Sequence, residues 1–217
     1  VTLKTQILPY KIVFIAFLII GFAFVTRDST LGITSENFLS SEMVKSFVND
    51  KSIVFSMLTI IILVLEGAIP SGLRDRLIHL RLNHPLPGTR AFTQIAPKDS
   101  RIDLDAIALK HGELPTDPSS QNRLFYKLYS SVADKPSVTS SHKRYLLSRD
   151  LGTMTYLVTI PATILALFSP RGLSAGLLVL GSGIVLGLVF SITAKNYGGR
   201  MVENALALCA VQKEQKK

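Results

Sequence analysis

Four apolar runs separated by charged and polar stretches set the pattern of this chain. The first, Ile12 to Val25, is fourteen residues without a charge, and it reaches nineteen when counted from Ile7. A helix needs about 20 residues to cross a bilayer core. The longer count therefore predicts a span, with Pro9 in its first turn and Lys11 snorkelling back toward the N-terminal side. The second run, Ser52 to Ile69, carries Glu66 near its end. The third, Leu151 to Phe168, contains Pro161, a residue that kinks helices. The fourth, Leu173 to Ala194, is the clearest, with twenty-two uncharged residues. Between the last two runs lies a short turn holding Pro170 and Gly172, which predicts a tight antiparallel hairpin.

Along the fourth run Gly183, Gly187 and Ser191 recur every four residues, and Gly172 and Gly176 share that spacing. Small residues at this interval let helix backbones approach closely. They mark a packing face, for another copy of the chain or for span one or three of the same copy.

The polar stretches also have a helical period. After the first run, Ser35 can cap a helix whose Leu39, Met43, Val44 and Phe47 share a face. It predicts a connecting helix on the outer membrane surface. The central segment, 71–150, opens with a basic helix over Gly72 to Asn83, with Leu73, Leu77 and Leu80 on one side, expected to lie against the inner leaflet or the small domain. His84-Pro85-Leu86-Pro87-Gly88 then ends it. Asp105 can cap Ala106 to His111, with Gly112 as the stop, and Asp117 with Pro118 opens another helix. That helix presents Leu124, Phe125, Leu128 and Tyr129. Ser137 to Asp150 is expected to run unbroken into the third span, and Gly198-Gly199-Arg200 to interrupt the chain before a tail helix. No stretch alternates with period two for long.

The pattern predicts an all-α integral membrane protein with four transmembrane helices in two hairpins. Residues 1–70 hold the first hairpin, 71–150 a small helical cytoplasmic domain, 151–194 the second hairpin and 195–217 a cytoplasmic tail.

Charge orients this arrangement. Of the bases behind the net charge of +9, thirteen lie in the central segment and five in the C-terminal tail. Arg74, Arg76 and Arg81 flank the second span, and Lys143, Arg144 and Arg149 precede the third. Cytoplasmic loops collect such residues, where anionic lipid or a partner meets them. Both termini are therefore expected inside, in a bacterial inner membrane. The Val1 start fits an alternative start codon or a trimmed chain, and no cleavage site follows the first run. Cys209, the single cysteine, excludes an internal disulfide and Cys-based metal sites.

Candidate chemistry is thin. An ionisable residue in a span is a functional candidate, but Glu66 sits near the end of its run, where Arg74 or Arg76 can pair with it. His79, His84, His111 and His142, with Asp99, Asp103 and Asp105, offer metal-ligand chemistry at spacings that match no motif. Asp103-Leu-Asp105 resembles the two-carboxylate signature of some glycosyltransferases, a pattern that arises often by chance. Gln121-Asn122-Arg123 and Phe125-Tyr126 offer polar contact and stacking, and read more simply as helix surface and core. There is no phosphate loop and no nucleophile motif. No catalytic residue, cofactor or metal site is assigned.

The leading expectation is a non-enzymatic membrane anchor whose cytoplasmic domain senses or recruits a cytosolic protein partner. Copies would assemble as a homo-oligomer through the fourth span. Small bacterial membrane proteins of this layout work in stress or antiviral (anti-phage) defence, an analogy of architecture alone. One alternative is an oligomeric pore lined by Glu66, Ser52, Ser56 and Thr59. Another is a membrane-bound enzyme acting on lipid or nucleotide through His84, Asp103, Asp105 or His111. Nucleic acid is an unfavoured partner, because the positive charge follows topology.

Overall fold

The computed structural model describes residues 3–26, 57 and 59–211. The expected outer helix with Leu39 and Phe47, and the residues Ser52 and Ser56, lie outside these. Among the described residues every regular element is helical and none is a strand. They are α1 (Leu3–Thr26), α2 (Thr59–Ala68), α3 (Ser71–His79), α4 (Leu104–His111), α5 (Pro118–Val132), α6 (Pro136–Leu167) and α7 (Leu173–Val211). Three single turns, Pro87–Arg90, Ala91–Ile95 and Ala96–Lys98, fill the path from α3 to α4. Of these elements α1, α6 and α7 are long and apolar enough to cross a membrane, while α2 is a shorter apolar helix.

The chain divides into two compact units. One, here the apolar unit, comprises residues 5–70 and 150–188. The other, the insert unit, comprises residues 1–4, 71–149 and 189–217.

In the apolar unit α6 and α7 form the expected hairpin. Gly172 makes its turn at φ +49°, in the left-handed region where glycine carries no Cβ penalty. Arg171 of the same turn donates through Nη1 to the Val25 carbonyl at 3.2 Å. A Cβ on Gly183 would strike Thr159, one on Gly187 would strike Tyr156, and one on Gly176 would lie 2.5 Å from Leu167. The glycine face is thus filled by α6 of the same chain, and Ser191, at the end of the repeat, is buried. Polar groups on α6 are answered locally. Thr155, Thr159 and Thr163 each donate to the carbonyl one turn back, at 2.9, 2.7 and 2.8 Å. The helix passes through Pro161 as one element.

The insert unit has its own core. Phe92, Ile107, Phe125, Leu128, Val132 and Val138 pack with Met201, Val202, Ala205, Leu206 and Cys209. Helix α4 is capped by Asp103, whose Oδ1 accepts from the Ala106 amide at 2.9 Å. Asp105, the expected cap, sits in the first turn instead. Gly112 ends α4 at φ +83°. Asp117 caps α5, accepting from the Ser120 amide at 2.8 Å, with Pro118 at the first helical position.

Two expectations about the insert are corrected. Helix α3 stops at His79, four residues before Asn83, with Leu80 left-handed at φ +50°. Its buried positions are Asp75, Ile78 and His79, whereas Leu73, Leu77 and Leu80 are exposed. The second correction concerns the tail. Helix α7 does not break at Gly198-Gly199 but continues to Val211. A Cβ on Gly198 would lie 2.7 Å from Pro87 and 3.4 Å from Tyr145, so this glycine serves close approach, not interruption. The last turns of α7 bury Met201, Val202, Ala205 and Leu206, and what reads as a tail is part of the core. Asn204 ties it to the start of α6, donating to Ser141 Oγ at 2.8 Å.

Candidate functional site

Three polar constellations stand out, one in the apolar unit and two in the insert unit. In the apolar unit, Lys11 Nζ lies 3.0 Å from Glu66 Oε2 and 2.6 Å from Asp150 Oδ2. All three residues are buried. The charge that α1 was expected to carry out of the apolar region is instead held inside by two carboxylates. Burying a lone ammonium or carboxylate is costly, and the three groups offset one another's lost hydration. Glu66 is a paired group here, with Lys11 among its partners.

The second constellation joins α3 to α6 within the insert unit. Arg149 Nη1 donates to Asp75 Oδ1 at 3.4 Å, and Tyr145 Oη donates to the same oxygen at 3.4 Å. The Tyr145 hydroxyl also lies 3.3 Å from His79 Nε2, and the two rings stack. Burial pushes the Asp75 carboxyl above the usual range, and the long contact to Arg149 only partly offsets that. Burial lowers His79 to about 4, aided by the positive charges of Arg90, Lys195, Arg81 and Arg149. His79 is therefore a neutral ring at physiological pH. Its Nδ1 is buried without a hydrogen-bond partner among the described residues.

The third constellation is a polar basin of about 260 Å³, bordered by Arg81, Asn83, His84, Arg90 and Gln94. The backbone behind it is set by Gln121. Its Oε1 accepts from the Phe92 and Thr93 amides at 3.1 and 3.3 Å, and its Nε2 donates to the Thr116 carbonyl at 2.8 Å. The Thr89 hydroxyl is likewise committed, donating to the Leu86 carbonyl at 2.6 Å. Arg90 precedes the turn that Gln121 holds. Its Nε is buried without a partner among the described residues. Burial depresses the Arg90 guanidinium, and the positive charge of Arg81 adds to that. No carboxylate lines the basin. The acid in electrostatic reach of His84 is Asp117, already engaged as the α5 cap.

No family model, curated protein or solved structure matches this chain. The reading of the site therefore stands on its geometry.

The remaining sequence candidates are dispersed. His142 Nδ1 lies 2.7 Å from the Tyr129 hydroxyl, while His84 and His111 are exposed. Among the described residues no three His, Cys, Asp or Glu residues are grouped to hold a metal. Phe125 is core, Gln121 is a buried scaffold, and Tyr126 is exposed. Of the six bases flanking the spans, Arg76, Arg81 and Arg144 are exposed and Arg74 and Lys143 half-buried. Arg149 departs from the expected role of partner or lipid contact. It is buried, with its guanidinium 5.9 Å from the Tyr145 ring centroid, and braces α3. Arg144 donates to the Tyr197 hydroxyl at 3.0 Å. Sequence reasoning missed Arg90 entirely, because a single arginine between Thr89 and Ala91 has no pattern to announce it.

Proposed function

We propose that this chain is a four-span protein of a bacterial inner membrane. Its insert, N-terminus and C-terminus lie on the cytoplasmic side, and the insert recruits or senses a cytosolic partner. The observation that carries this reading is the composition of the insert unit. The N-terminal residues through Lys4, the central segment and the end of α7 belong to one compact body. Three polar segments in one body belong on one side of a bilayer, which requires an even number of crossings between them. Helices α1, α6 and α7 are long and apolar enough for three, and the second apolar run of the sequence, to which α2 belongs, is our candidate for the fourth. The concentration of arginine and lysine in that body favours the cytoplasmic side.

A folded core in the insert supports recruitment, since it holds an exposed surface in a fixed shape. That surface includes Leu73, Leu77 and Leu80 of α3 beside Arg76 and Arg81, a composition suited to the anionic inner leaflet. Arg144, Lys127 and Arg123 remain for a partner.

The test is purification of a tagged chain from its native membrane in mild detergent, with the mass of the complex and its components measured. A stoichiometric cytosolic protein that is lost from an Arg123→Glu, Lys127→Glu, Arg144→Glu variant supports the reading. A chain that purifies alone, or keeps its partner in that variant, overturns it.

A further inference from the structure

We infer that the basin bordered by Arg81 and Arg90 is a binding site for a phosphate group. The inference deepens the recruitment reading by naming the signal the insert senses, and rests on it only for that role.

The argument is one of unmet chemistry. Two guanidiniums border one basin of about 260 Å³ whose lining holds no carboxylate to balance them. Arginines that share a site without an acid repel each other, and an anion between them reverses the sign of that interaction. The buried Arg90 Nε is a donor without an acceptor among the described residues. A buried donor left unmade is costly, and a phosphate oxygen is an acceptor whose geometry matches the guanidinium fork. Asn83 and Gln94 border the same space and offer neutral donors beside the two charged ones. The first turn of α5, through Pro118, closes one side, with its Ser120 amide already taken by the Asp117 cap. Gln121 and Thr89 are saturated by the backbone, so they hold the shape instead of competing for a ligand. A phosphate dianion fits this donor set better than a carboxylate, because it carries a second negative charge and a third oxygen, enough to face both arginines with one oxygen shared. The phosphate can belong to a soluble molecule or to a lipid headgroup.

The test uses the full chain in nanodiscs of phosphatidylcholine, titrated calorimetrically with inorganic pyrophosphate. The expected result is saturable binding that falls at least tenfold in Arg90→Gln and in Arg81→Gln. Lys110→Gln, at an exposed position of α4 that does not line the basin, should change it less than twofold. Arg81 is exposed, so its variant keeps the fold even where Arg90→Gln does not. No saturable binding, or equal loss in all three variants, overturns the inference. Phosphatidic acid added to the nanodisc separates the two sources. Suppressed pyrophosphate binding assigns the basin to a lipid phosphomonoester, and unchanged binding assigns it to a soluble phosphate. A chain that binds pyrophosphate but recruits no protein sinks the recruitment reading alone. A chain that recruits a partner and ignores pyrophosphate sinks this inference alone.

Discussion

Lys11 is the residue whose setting departs most from what its neighbourhood in the sequence implies. A lysine close to the end of an apolar run ordinarily reaches for water. This one is enclosed by Glu66 and Asp150. Lys11→Met should therefore cost about 3–5 kcal/mol, the usual penalty for leaving buried charges without their partner, read as unfolding in detergent. Adding Glu66→Gln and Asp150→Asn should return most of it. If Lys11→Met is as stable as the parent chain, the cluster is not holding the helices. Sequence shows each of these charges but not their meeting, since they come from three distant segments whose spacing follows no period. His79 makes a second prediction. Its folded pKa is about 4, below the ordinary 6.5, so the unfolded chain binds the proton first. Its contribution is complete above pH 6.5 and is lost as pH falls toward 4, by on the order of 3 kcal/mol. Asp75, raised in the folded chain, works in the opposite direction as pH rises through its own range. The difference between the parent and His79→Asn isolates the histidine, and that difference should shrink between pH 7 and pH 4.

At the scale of elements, the helices with start and stop signals were legible. Asp117-Pro118 opens α5 and Gly112 closes α4 as their chemistry dictates. The small-residue repeat on α7 lies against α6, where a Cβ on Gly183 would meet Thr159 and one on Gly187 would meet Tyr156. The repeat could not name that partner, because the spacing belongs to one helix only. Gly183→Ala should destabilise the hairpin by about 1–3 kcal/mol through contact with Thr159. Gly181→Ala, with nothing within 4 Å, should be neutral or slightly stabilising. The pair is read by unfolding in the same detergent, and equal effects at both positions would refute the packing assignment. The end of α7 shows the opposite lesson. Gly198-Gly199 predicts an interruption, yet Met201, Val202, Ala205, Leu206 and Cys209 follow at helical spacing and are buried in one continuous helix. Tertiary burial outweighs a cost of about 1 kcal/mol per glycine, so the period was the better guide.

For the whole molecule, three of the apolar runs announce helices long and apolar enough to cross a membrane, because a bilayer demands length and uniform apolarity. The insert was legible as helical and basic, but its core was not, being assembled from segments on either side of two apolar helices. The proposed four-span topology predicts a labelling pattern. In a Cys209→Ala background, Pro170→Cys should react with an impermeant maleimide from outside intact cells. Glu113→Cys, on an exposed residue of the insert, should react only after lysis. The reverse pattern would place the insert outside and remove the cytosolic partner from consideration.

The placement of Met201 to Cys209 also bears on how the chain is made. A ribosome completes the central segment well before it reaches these residues, yet Phe92, Phe125 and Leu128 have no closed core until they arrive. The insert must wait, partly open, while the apolar stretches of α6 and α7 are synthesised. A chain that stops after the last apolar run would still present bare core residues. Proteases and chaperones that read exposed apolar surface would then distinguish chains that reach Cys209 from those that stop short of it.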